Sequence, residues 1–414
     1  ADDPEAMDLL AGYLAQALMT YTLCYAPQKI IIGGGVIGSS INYYLSKRGQ
    51  RVIQLERNYF NSGASGSCDT MIAPNTKEPN EHLQLALYSV ELYKTLSQEL
   101  GRDIEYEQKG SLLLIENEDE LHIMEGIVKK QNALGLHSRI IDVDETMYLQ
   151  PGLNRDAIVG ASYSEVDADV NPFRLNLAFA DKAVSMGARI FTHEAAEEIL
   201  LRNGAVAGVR TNRDTYYAPI VINAAGSWAP IVGKMVGLNI PIKPRRGQTV
   251  ITEAAPPFVH KLVNNARYIV GKHHPEMLKN DHSLKAQMGI AISLVQSKKG
   301  NIEFGNSREF VGYDTGNTYL CLRELLKNAT RIIPGLKNLN IIRTMGGLRP
   351  YPPDSKPLIG FVNGVPGFFL AAGHEGDGIC LSPVTGKLVS DLIVDGKTDV
   401  PAAPGFDPNR FDLF

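Results

Sequence analysis

The sequence predicts a mixed α/β protein, and three observations support this fold class. A short apolar run at 29–32 is followed by glycines, a helical pattern and a second apolar run at 51–55, which is the order of a βαβ unit. A strand, a glycine turn and a long helical pattern occur together again at 367–396. Between these units, the stretch from about 240 to 345 carries mostly extended patterns. The sequence therefore predicts a parallel-sheet domain that is interrupted by a second, sheet-based domain.

The composition narrows the class of protein. The 414 residues include 41 Lys+Arg and 45 Asp+Glu, which gives a net charge of −4 and lacks the basic surplus of a nucleic-acid binder. The hydrophobic content of 44% and the charged content of 21% are typical of globular chains and exclude a disordered or fibrous class. The length favours two domains, each with its own core.

The cysteines and histidines predict neither a metal nor a cluster. Four scattered cysteines, Cys24, Cys68, Cys321 and Cys380, form no Cys-x-x-Cys pair, which argues against a disulfide scaffold, a zinc ribbon and an iron–sulfur cluster. The histidines at 273–282 match no metal-ligand spacing. These patterns fit a reducing, cytoplasmic location, with membrane contact only at the periphery of the inner membrane as the alternative.

The N-terminal residues 1–28 stand apart from the rest of the sequence. Residues 9–28 carry no charge and place apolar side chains at helical spacing, which predicts a helix. The polar residues and the proline within this window argue against a membrane span. Acidic residues at 2–8 argue against a secretory signal. The segment is therefore an added leader followed by a packing helix, or a helical extension that binds a partner or a membrane surface.

The first glycine turn predicts dinucleotide binding. Gly33, Gly35 and Gly38 are spaced so that the chain turns tightly, approaches a pyrophosphate and packs its helix against the strand. Glu56 ends the second strand, 23 residues after Gly33, where its carboxylate accepts hydrogen bonds from ribose hydroxyls. An acid at this position disfavours a 2′-phosphate, so NADP is the least favoured dinucleotide. The local motif alone does not separate FAD from NAD.

The second glycine turn, at 373–378, favours FAD. It repeats the strand, glycine turn and helix but has no acid after it. The N-terminus of its helix would direct backbone N–H groups at a flavin carbonyl and stabilise the charge of a reduced flavin. A simple helix-capping turn is the alternative interpretation.

Four segments carry a resemblance to a known family: GGGVIG at 33–38, NAAGSW at 223–228, GLRPYPPDSKPLIG at 347–360 and GHEGDGICLSPVTGKL at 373–388. Together they resemble the D-amino-acid oxidase-like superfamily of FAD-dependent oxidoreductases, over about residues 29–396. The greatest similarity is to the β subunits of dye-linked proline and hydroxyproline dehydrogenases, followed by the hydrogen cyanide synthase flavoprotein subunit and glycine and sarcosine oxidases.

The resemblance implies a Rossmann-like, glutathione-reductase-type FAD domain with an inserted antiparallel-sheet substrate domain. The FAD domain would comprise 29–110, 155–235 and 345–400, and the substrate domain 110–155 and 236–345, followed by a tail at 401–414. The implied reaction oxidises the C–N bond of an amino or imino acid, with hydride transfer to flavin N5 and hydrolysis of the imine by water. Such a reaction depends on positioning more than on acid–base side chains.

The resemblance also implies catalytic residues. Arg349 matches the arginine that binds the substrate carboxylate, a role suited to a planar guanidinium, and a surface ion pair is the alternative. Tyr268 matches a tyrosine near the substrate, with a core tyrosine as the alternative. His374 and Glu375 lie in the turn expected to face the flavin, although either residue could instead face solvent or support its neighbours.

The cofactor is expected to be FAD held without a covalent bond. Relatives with covalent flavin attach it through a cysteine just before the position of Gly-Leu-Arg-Pro, and this chain has Arg-Thr-Met-Gly at 343–346 instead. Met345 also replaces an aromatic residue of many relatives.

The adjacent arginines at 245–246 are interpreted as an anion patch or as a structural element where the domains cross. The residues expected to bind FAD are Gly33, Gly35, Val36, Ile37, Gly38, Glu56, Arg57, Ser65, Ala196, Ala225, Gly226, Trp228, Gly373, Gly376, Asp377, Gly378 and Ile379.

Three functions follow from these sequence features. The leading hypothesis is the catalytic subunit of a heteromeric amino- or imino-acid dehydrogenase, acting on a substrate of the proline, hydroxyproline, glycine or sarcosine type. Because this chain has no cluster cysteines, partner subunits carrying an iron–sulfur cluster or a second flavin would receive the electrons. The alternatives are a stand-alone glycine/sarcosine-type oxidase that produces hydrogen peroxide, and a non-catalytic FAD-binding subunit, which the presence of Arg349 disfavours.

Overall fold

A computed structural model describes residues 28–269 and 282–414. The helix predicted at 9–28 lies, except for Gln28, outside the described residues. The same is true of the histidine-containing stretch at 273–282, except for His282. Within the described residues, no helix has the length and apolar character needed to cross a lipid bilayer.

The regular elements alternate along most of the chain. The strands in chain order are β1 (Lys29–Ile32), β2 (Val52–Glu56), β3 (Met71–Ile72), β4 (Ser111–Ile115), β5 (Arg139–Ile141), β6 (Gly160–Ser164), β7 (Ala168–Asp169), β8 (Arg189–Thr192), β9 (Ala196–Arg202), β10 (Ala205–Thr211), β11 (Thr215–Tyr217), β12 (Ile220–Asn223), β13 (Lys243–Ala254), β14 (Leu262–Asn265), β15 (Ser293–Gln296), β16 (Asn301–Gly305), β17 (Ile341–Tyr351), β18 (Leu358–Phe361) and β19 (Phe368–Ala372). The α-helices are α1 (Val36–Lys47), α2 (Glu81–Leu100), α3 (Glu118–Ala133), α4 (Val143–Leu149), α5 (Pro172–Ser185), α6 (Ala229–Lys234), α7 (Leu284–Gln287), α8 (Tyr319–Ile332) and α9 (Gly378–Val394).

The first sheet contains the predicted βαβ unit. Its strand order is β18-β19-β12-β1-β2-β8, and every pair is parallel except β18 with β19. All four residues of β1 are buried, as expected for a central strand of a parallel sheet that is covered on both faces. Helices α1, α2, α5 and α9 pack into one core against this sheet, and the β9-β10-β11 sheet contributes to a second core together with α6. The predicted α/β class is therefore confirmed.

The second sheet has the order β17-β13-β16-β15-β14-β4-β6-β5. Its pairs are antiparallel except β14 with β4, which is parallel. Strand β6 pairs in this sheet although it lies within the range 155–235 expected for the FAD domain, and β17 crosses the expected boundary at 345. We therefore propose that the substrate domain includes β6 and most of β17.

The segment between β2 and α2 lies at the junction of the two sheets. A Cβ on Gly347 of β17 would lie 2.6 Å from the backbone oxygen of Ser67, so only a glycine allows this segment to approach the second sheet. Met71 and Ala73 of the same segment pack against Leu262 and Val295 of that sheet. The pocket described below is lined by residues of both sheets and of this connecting segment.

Candidate active site

The first glycine turn brings helix α1 close to the central strands. Gly33 has φ +129°, and a Cβ there would lie 2.4 Å from the backbone oxygen of Ala224. A Cβ on Gly38, in the first turn of α1, would lie 2.1 Å from the backbone oxygen of Gly33. Neither position has room for a side chain, and the N-terminus of α1 is thereby held at the carboxyl end of β1. Gly33, Gly35, Val36 and Ile37 line the pocket, whereas Gly38 lies behind it.

The predicted ribose-binding acid is fixed beside this turn. Glu56 Oε2 accepts a hydrogen bond from the Gly34 N–H at 2.7 Å, and its Oε1 accepts one from the Asn58 N–H at 2.8 Å. A carboxylate has further lone pairs for hydroxyl donors. At the start of α1, the Val36 N–H donates to Ser65 Oγ at 3.0 Å, so the expected flavin-contacting serine lies at the same helix end.

Aromatic and small residues form the far wall of the pocket. The guanidinium of Arg57 lies 4.2 Å from the ring centroid of Trp228, and the Trp228 ring stacks on Tyr313 at a centroid distance of 5.8 Å. Ala196, at the start of β9, lines the pocket beside them. Ala225 and Gly226, which follow β12, complete this wall.

A second helix N-terminus opens into the same pocket. Helix α9 begins at Gly378, and the side chain of its N-cap residue, Asp377, accepts no hydrogen bond from the first turn of the helix. Gly376, Asp377 and Ile379 line the pocket with Gly378, whereas Gly373, at φ +82°, packs against Leu358 outside it. Two positive helix ends directed into one long pocket fit a ligand that carries a pyrophosphate at one end and a ring able to take up negative charge at the other. The residues present therefore fit FAD.

A buried ion pair holds the start of α9. Lys77 pairs with Asp377 Oδ1, and His82 Nε2 lies 3.2 Å from Asp377 Oδ2. Burial disfavours the charge of Lys77, but the attraction of Asp377 outweighs this effect, so that the pKa of Lys77 is raised above its usual value. No pattern in the sequence marks Lys77, because its partner lies 300 residues away in the chain.

His374 and Glu375 both line the pocket, and their charges are fixed. His374 is 3% exposed and its Nε2 lies 3.0 Å from Thr385 Oγ1. Burial lowers the pKa of this histidine to about 3, so it is neutral at pH 7. Burial opposes ionisation of Glu375, but the charges of Arg245, Arg349 and Arg308 outweigh it and lower its pKa to about 2. Neither residue is suited to proton exchange near neutral pH, and Glu375 forms an ion pair with Arg245.

Arg349 directs its guanidinium into the pocket. The guanidinium lies over Gly247, where a Cβ would be 2.3 Å from Nη1, and Nη1 donates to the backbone oxygen of Ser307 at 2.9 Å. No carboxylate of residues 28–269 or 282–414 forms an ion pair with it. The surface ion pair considered from the sequence is therefore not found among these residues. The guanidinium has further donors for an anionic ligand.

Tyr268 lies beside this arginine. A Cβ placed on Gly376 would be 4.0 Å from the Tyr268 hydroxyl and 3.6 Å from Cδ and Nε of Arg349. The side chain of Arg308 covers the Tyr268 ring, with its guanidinium 3.7 Å from the ring centroid, and burial lowers the pKa of Arg308. Tyr268 thus lines the pocket and also packs against the core cluster that contains Leu113 and Ile115.

The floor of the pocket is a strip of the second sheet with few side chains. Gly247 of β13 pairs with Gly347 of β17, and Thr249 pairs with Gly305 of β16. The Thr249 Oγ1 and Asn306 Oδ1 atoms are buried without a hydrogen-bond partner among the described residues, and both residues line the pocket. Other polar lining residues that were not predicted from the sequence are Asp69, Asn264 and Ser293. No local motif marks these positions, because distant segments bring them together.

The remaining predictions concern anions, thiols and metals. Arg246 of the arginine pair is neutralised by Glu309 and Asp314, which supports a structural role over an anion patch. Cys68, Cys321 and Cys380 are free thiols. Among the described residues, no group of three His, Cys, Asp or Glu side chains is arranged to hold a metal ion.

Comparisons with known proteins agree with this geometry. The subunit HcnC of hydrogen cyanide synthase from Pseudomonas aeruginosa is 30% identical, over 91% of this chain and 94% of that protein. Glycine oxidase from Geobacillus kaustophilus is also 30% identical, over 90% of this chain and 94% of that protein. The crystal structure of L-proline dehydrogenase from P. horikoshii superposes with a TM-score of 0.84 at 31% identity, covering 93% of this chain and 98% of that one.

A family model described as "DAO: FAD dependent oxidoreductase" matches residues 29–392. This range contains both glycine turns, Arg349 and the whole of the floor strip. Because the match spans most of the chain and the pocket fits FAD, the protein belongs to the DAO family of FAD-dependent oxidoreductases, with FAD as its cofactor.

Proposed function

We propose that this protein oxidises the C–N bond of a small amino or imino acid, as the catalytic subunit of a heteromeric dehydrogenase. The observation that carries the proposal is the guanidinium of Arg349, which has no ion-pair partner among the described residues and lies in the pocket that also receives the two helix N-termini. When bound, FAD accepts a hydride at N5 from the substrate carbon next to nitrogen.

The residues of this chain bind and orient the substrate. Arg349 holds the substrate carboxylate through paired N–H donors, the geometry in which guanidinium binds carboxylate most strongly. The Tyr268 hydroxyl, on the same side of the pocket, donates a further hydrogen bond. The bare backbone of Gly247 and Gly347 leaves room for the substrate above the sheet. Positioning of this kind supplies much of the rate enhancement when no acid–base group is needed at the reacting carbon.

The same fold holds the cofactor without a covalent bond. The α1 N-terminus would bind the pyrophosphate, Glu56 the ribose and the α9 N-terminus the carbonyl edge of the ring. Just before Gly-Leu-Arg-Pro, where relatives with covalent flavin carry the attaching cysteine, this chain has Arg-Thr-Met-Gly at 343–346. We expect denaturation to release the flavin into solution.

The heteromeric role rests on the relatives. One of them is named as a subunit of hydrogen cyanide synthase, and it aligns over nearly its whole length. Glycine oxidase aligns equally well, which favours a stand-alone oxidase as the second candidate. The two functions differ in where the electrons go, to a partner subunit or to oxygen.

An anaerobic titration tests the proposal. The FAD-loaded protein is mixed with proline, hydroxyproline, glycine, sarcosine or N,N-dimethylglycine, and flavin absorbance is followed. One or more of these compounds should bleach the flavin. Arg349→Ala should lower the ratio of the reduction rate to the apparent dissociation constant by roughly 10²- to 10³-fold. Paired hydrogen bonds to a carboxylate are worth about 3–4 kcal/mol, which corresponds to this factor.

Arg210→Ala is the matched control, since Arg210 pairs with Glu197 and Glu198 at an exposed site. It should leave flavin reduction unchanged. Bound FAD that no compound of the panel bleaches would refute the proposed amino-acid oxidation. Reduction by Arg349→Ala at the wild-type rate would refute the role of the guanidinium. Rapid formation of peroxide when air is admitted would favour the oxidase.

A further inference from the structure

The pocket is lined by an acidic group as well as by Arg349. Asp69 lies between the Ser65 turn and β3 and lines the pocket. Its Oδ2 accepts a hydrogen bond from Ser293 Oγ at 2.8 Å, which fixes the carboxylate against the floor strip. The charges of Arg349 and Lys77 both act on it, so Asp69 is within electrostatic range of the proposed carboxylate-binding group.

A second carboxylate lies on the same face of the sheet. Ser293 pairs with Gly305, and two residues further along the strands Val295 pairs with Glu303. Opposite residues share a face and so do alternate residues of a strand. Glu303 and Ser293 therefore lie on the face that Asp69 contacts. The Glu303 Oε1 atom is buried and has no hydrogen-bond partner in the described part of the chain.

Glu303 holds a proton and leaves the negative charge to Asp69. Burial and the nearby charge of Asp69 raise the pKa of Glu303 to about 8. Two adjacent buried carboxyl groups do not both ionise readily, because each charge disfavours the other. Burial also raises the pKa of Asp69, but the Ser293 hydrogen bond and the attraction of Arg349 and Lys77 oppose this rise. Asp69 is therefore the better site for the charge.

Two further polar atoms of the pocket have no partner within the part of the chain that the structure describes. Thr249 Oγ1 and Asn306 Oδ1 have no partners among the described residues and line the same pocket as Asp69. Arg349 and Tyr268 line the same pocket and supply its donors. A pocket that contains both a guanidinium and a carboxylate is complementary to a zwitterion, with its carboxylate at Arg349 and its ammonium at Asp69.

We propose that Asp69 binds the ammonium group of the substrate and accepts its proton before the substrate is oxidised. This inference rests on the proposed function and assigns the amine end of the same site. It restricts the substrate class to amino acids that enter as zwitterions carrying at least one N–H bond. Tertiary amines such as N,N-dimethylglycine meet this condition only in their protonated form.

The proton transfer prepares the amine for oxidation. The ammonium N–H bond breaks and an O–H bond forms on Asp69, so that the electron pair returns to nitrogen. The hydride then leaves the neighbouring carbon for the FAD, while the nitrogen electron pair forms the C=N bond. The proton stays on Asp69 until the product leaves and solvent removes it. A protonated amine has no free electron pair, so it cannot undergo this second step.

Two pairs of isosteres test the assignment. Proline is compared with tetrahydrofuran-2-carboxylate, and sarcosine with methoxyacetate, in each case an amine against an ether that has no N–H. Dissociation constants are read from flavin reduction for the amines and from perturbation of the flavin spectrum for the ethers. Asp69→Asn should weaken amine binding by roughly 10- to 100-fold, the range for a hydrogen bond between charged groups. It should leave ether binding unchanged.

Asp167→Asn is the matched control. Asp167 is also buried and held by two serines, Ser111 and Ser164, each at 2.8 Å, but it does not line the pocket. This variant should bind all four ligands as the wild type does. Ser293→Ala keeps the Asp69 carboxylate and removes its hydrogen bond. This variant replaces Asp69→Asn as the test if Asp69→Asn does not retain FAD. It should weaken amine binding only, and by less.

Each result decides the assignment. If Asp69→Asn loses affinity equally for the amine and for the ether, Asp69 maintains only the shape of the pocket, and the proposal is overturned. The same holds for Ser293→Ala where that variant replaces Asp69→Asn. Unchanged amine binding would overturn it as well. If no amine of the panel used to test the proposed function bleaches the wild-type flavin, the proposed function itself fails, and the assignment of Asp69 fails with it.

Discussion

At the scale of single residues, burial and neighbouring charge decide what each ionisable group does. His374 and Glu375 are adjacent in the chain, and the pKa values of both are lowered. Burial lowers the pKa of His374, and the charges of three arginines lower that of Glu375. The pKa of Glu303 is raised instead, because Glu303 is buried near the charge of Asp69. The protein thus keeps one neutral histidine, one fixed anion and one neutral carboxyl group around the pocket.

We predict that Glu303 makes the protein less stable as pH rises. Its pKa is about 8 in the folded protein against an ordinary value of 4.5. Its favourable contribution is therefore fully present below about pH 4.5 and is lost as pH rises through about 8. Glu303→Gln, which stays neutral, should flatten the decline in unfolding free energy between about pH 5 and pH 8. The measurement is urea unfolding of the FAD-loaded protein at several pH values.

Parallel curves for the wild type and Glu303→Gln would contradict this prediction. Glu309→Gln provides the control, because burial opposes the charge of Glu309 but hydrogen bonds from Arg246, Gln248 and Ser307 outweigh it and lower its pKa. Loss of a carboxylate of that kind removes stability that is present above its ordinary pKa. Its effect should therefore also grow as pH rises but with the opposite sign, lowering the unfolding free energy where Glu303→Gln raises it.

At the scale of elements, glycines decide which strands and helices approach each other. Helix α1 lies against β1 because Gly38 has no side chain, and the connecting segment reaches β17 because Gly347 has none. The start of α9 is tied to that segment by the buried pair of Lys77 and Asp377. These contacts place both helix N-termini at one pocket.

We predict that Gly38→Ala abolishes FAD binding. The added Cβ would lie 2.1 Å from the backbone oxygen of Gly33, so α1 must move away from β1 and from the phosphate site. Overpacking of this kind costs about 1–3 kcal/mol of stability. The measurements are the flavin content of the purified protein and its unfolding free energy.

Gly126→Ala is the matched control, since Gly126 is also inside a helix, α3, and has no atom within 4 Å of an added Cβ. Alanine there should stabilise the protein by about 0.5–1 kcal/mol and leave FAD bound. Full flavin content in Gly38→Ala would refute the close approach of α1 and β1.

At the scale of the whole molecule, one pocket collects residues of two sheets and the segment between them. The first sheet supplies the cofactor turns, and the second supplies the floor and Arg349. Within the described residues, the cysteines Cys68, Cys321 and Cys380 are free and two of them are buried, so they offer no site for a redox cluster. Under the proposed function, the electrons of the reduced flavin pass from this pocket to a partner subunit.

We predict that the reduced protein returns its electrons slowly to oxygen and rapidly to an artificial dye. The protein is first bleached by its amino acid without air, and the recovery of flavin absorbance is then followed in air and, separately, with dichlorophenolindophenol. Recovery in air as fast as with the dye, accompanied by one peroxide per flavin, would instead identify a stand-alone oxidase. Protein that has been reduced by light in the absence of amino acid is the control for an effect of bound product.

Features that depend on neighbouring residues could be predicted from the sequence. The βαβ unit, the two glycine turns and the position of Glu56 follow from spacings of a few residues, because helices, strands and tight turns each impose their own period. The family and the cofactor followed from short motifs of the same kind, which also led to the proposed role of Arg349. The strand, glycine turn and helical pattern predicted at 367–396 correspond to β19 and α9.

Features that join distant residues became visible only in the folded chain. Asp69 and Ser293 are 224 residues apart, and Lys77 and Asp377 are 300 apart. Strand β6 joined the second sheet through pairing with β4, which its short sequence Gly-Ala-Ser-Tyr-Ser does not indicate. The amine end of the pocket could not be predicted for the same reason. Burial and neighbouring charge set the properties of a carboxyl group, and both exist only after the chain has folded.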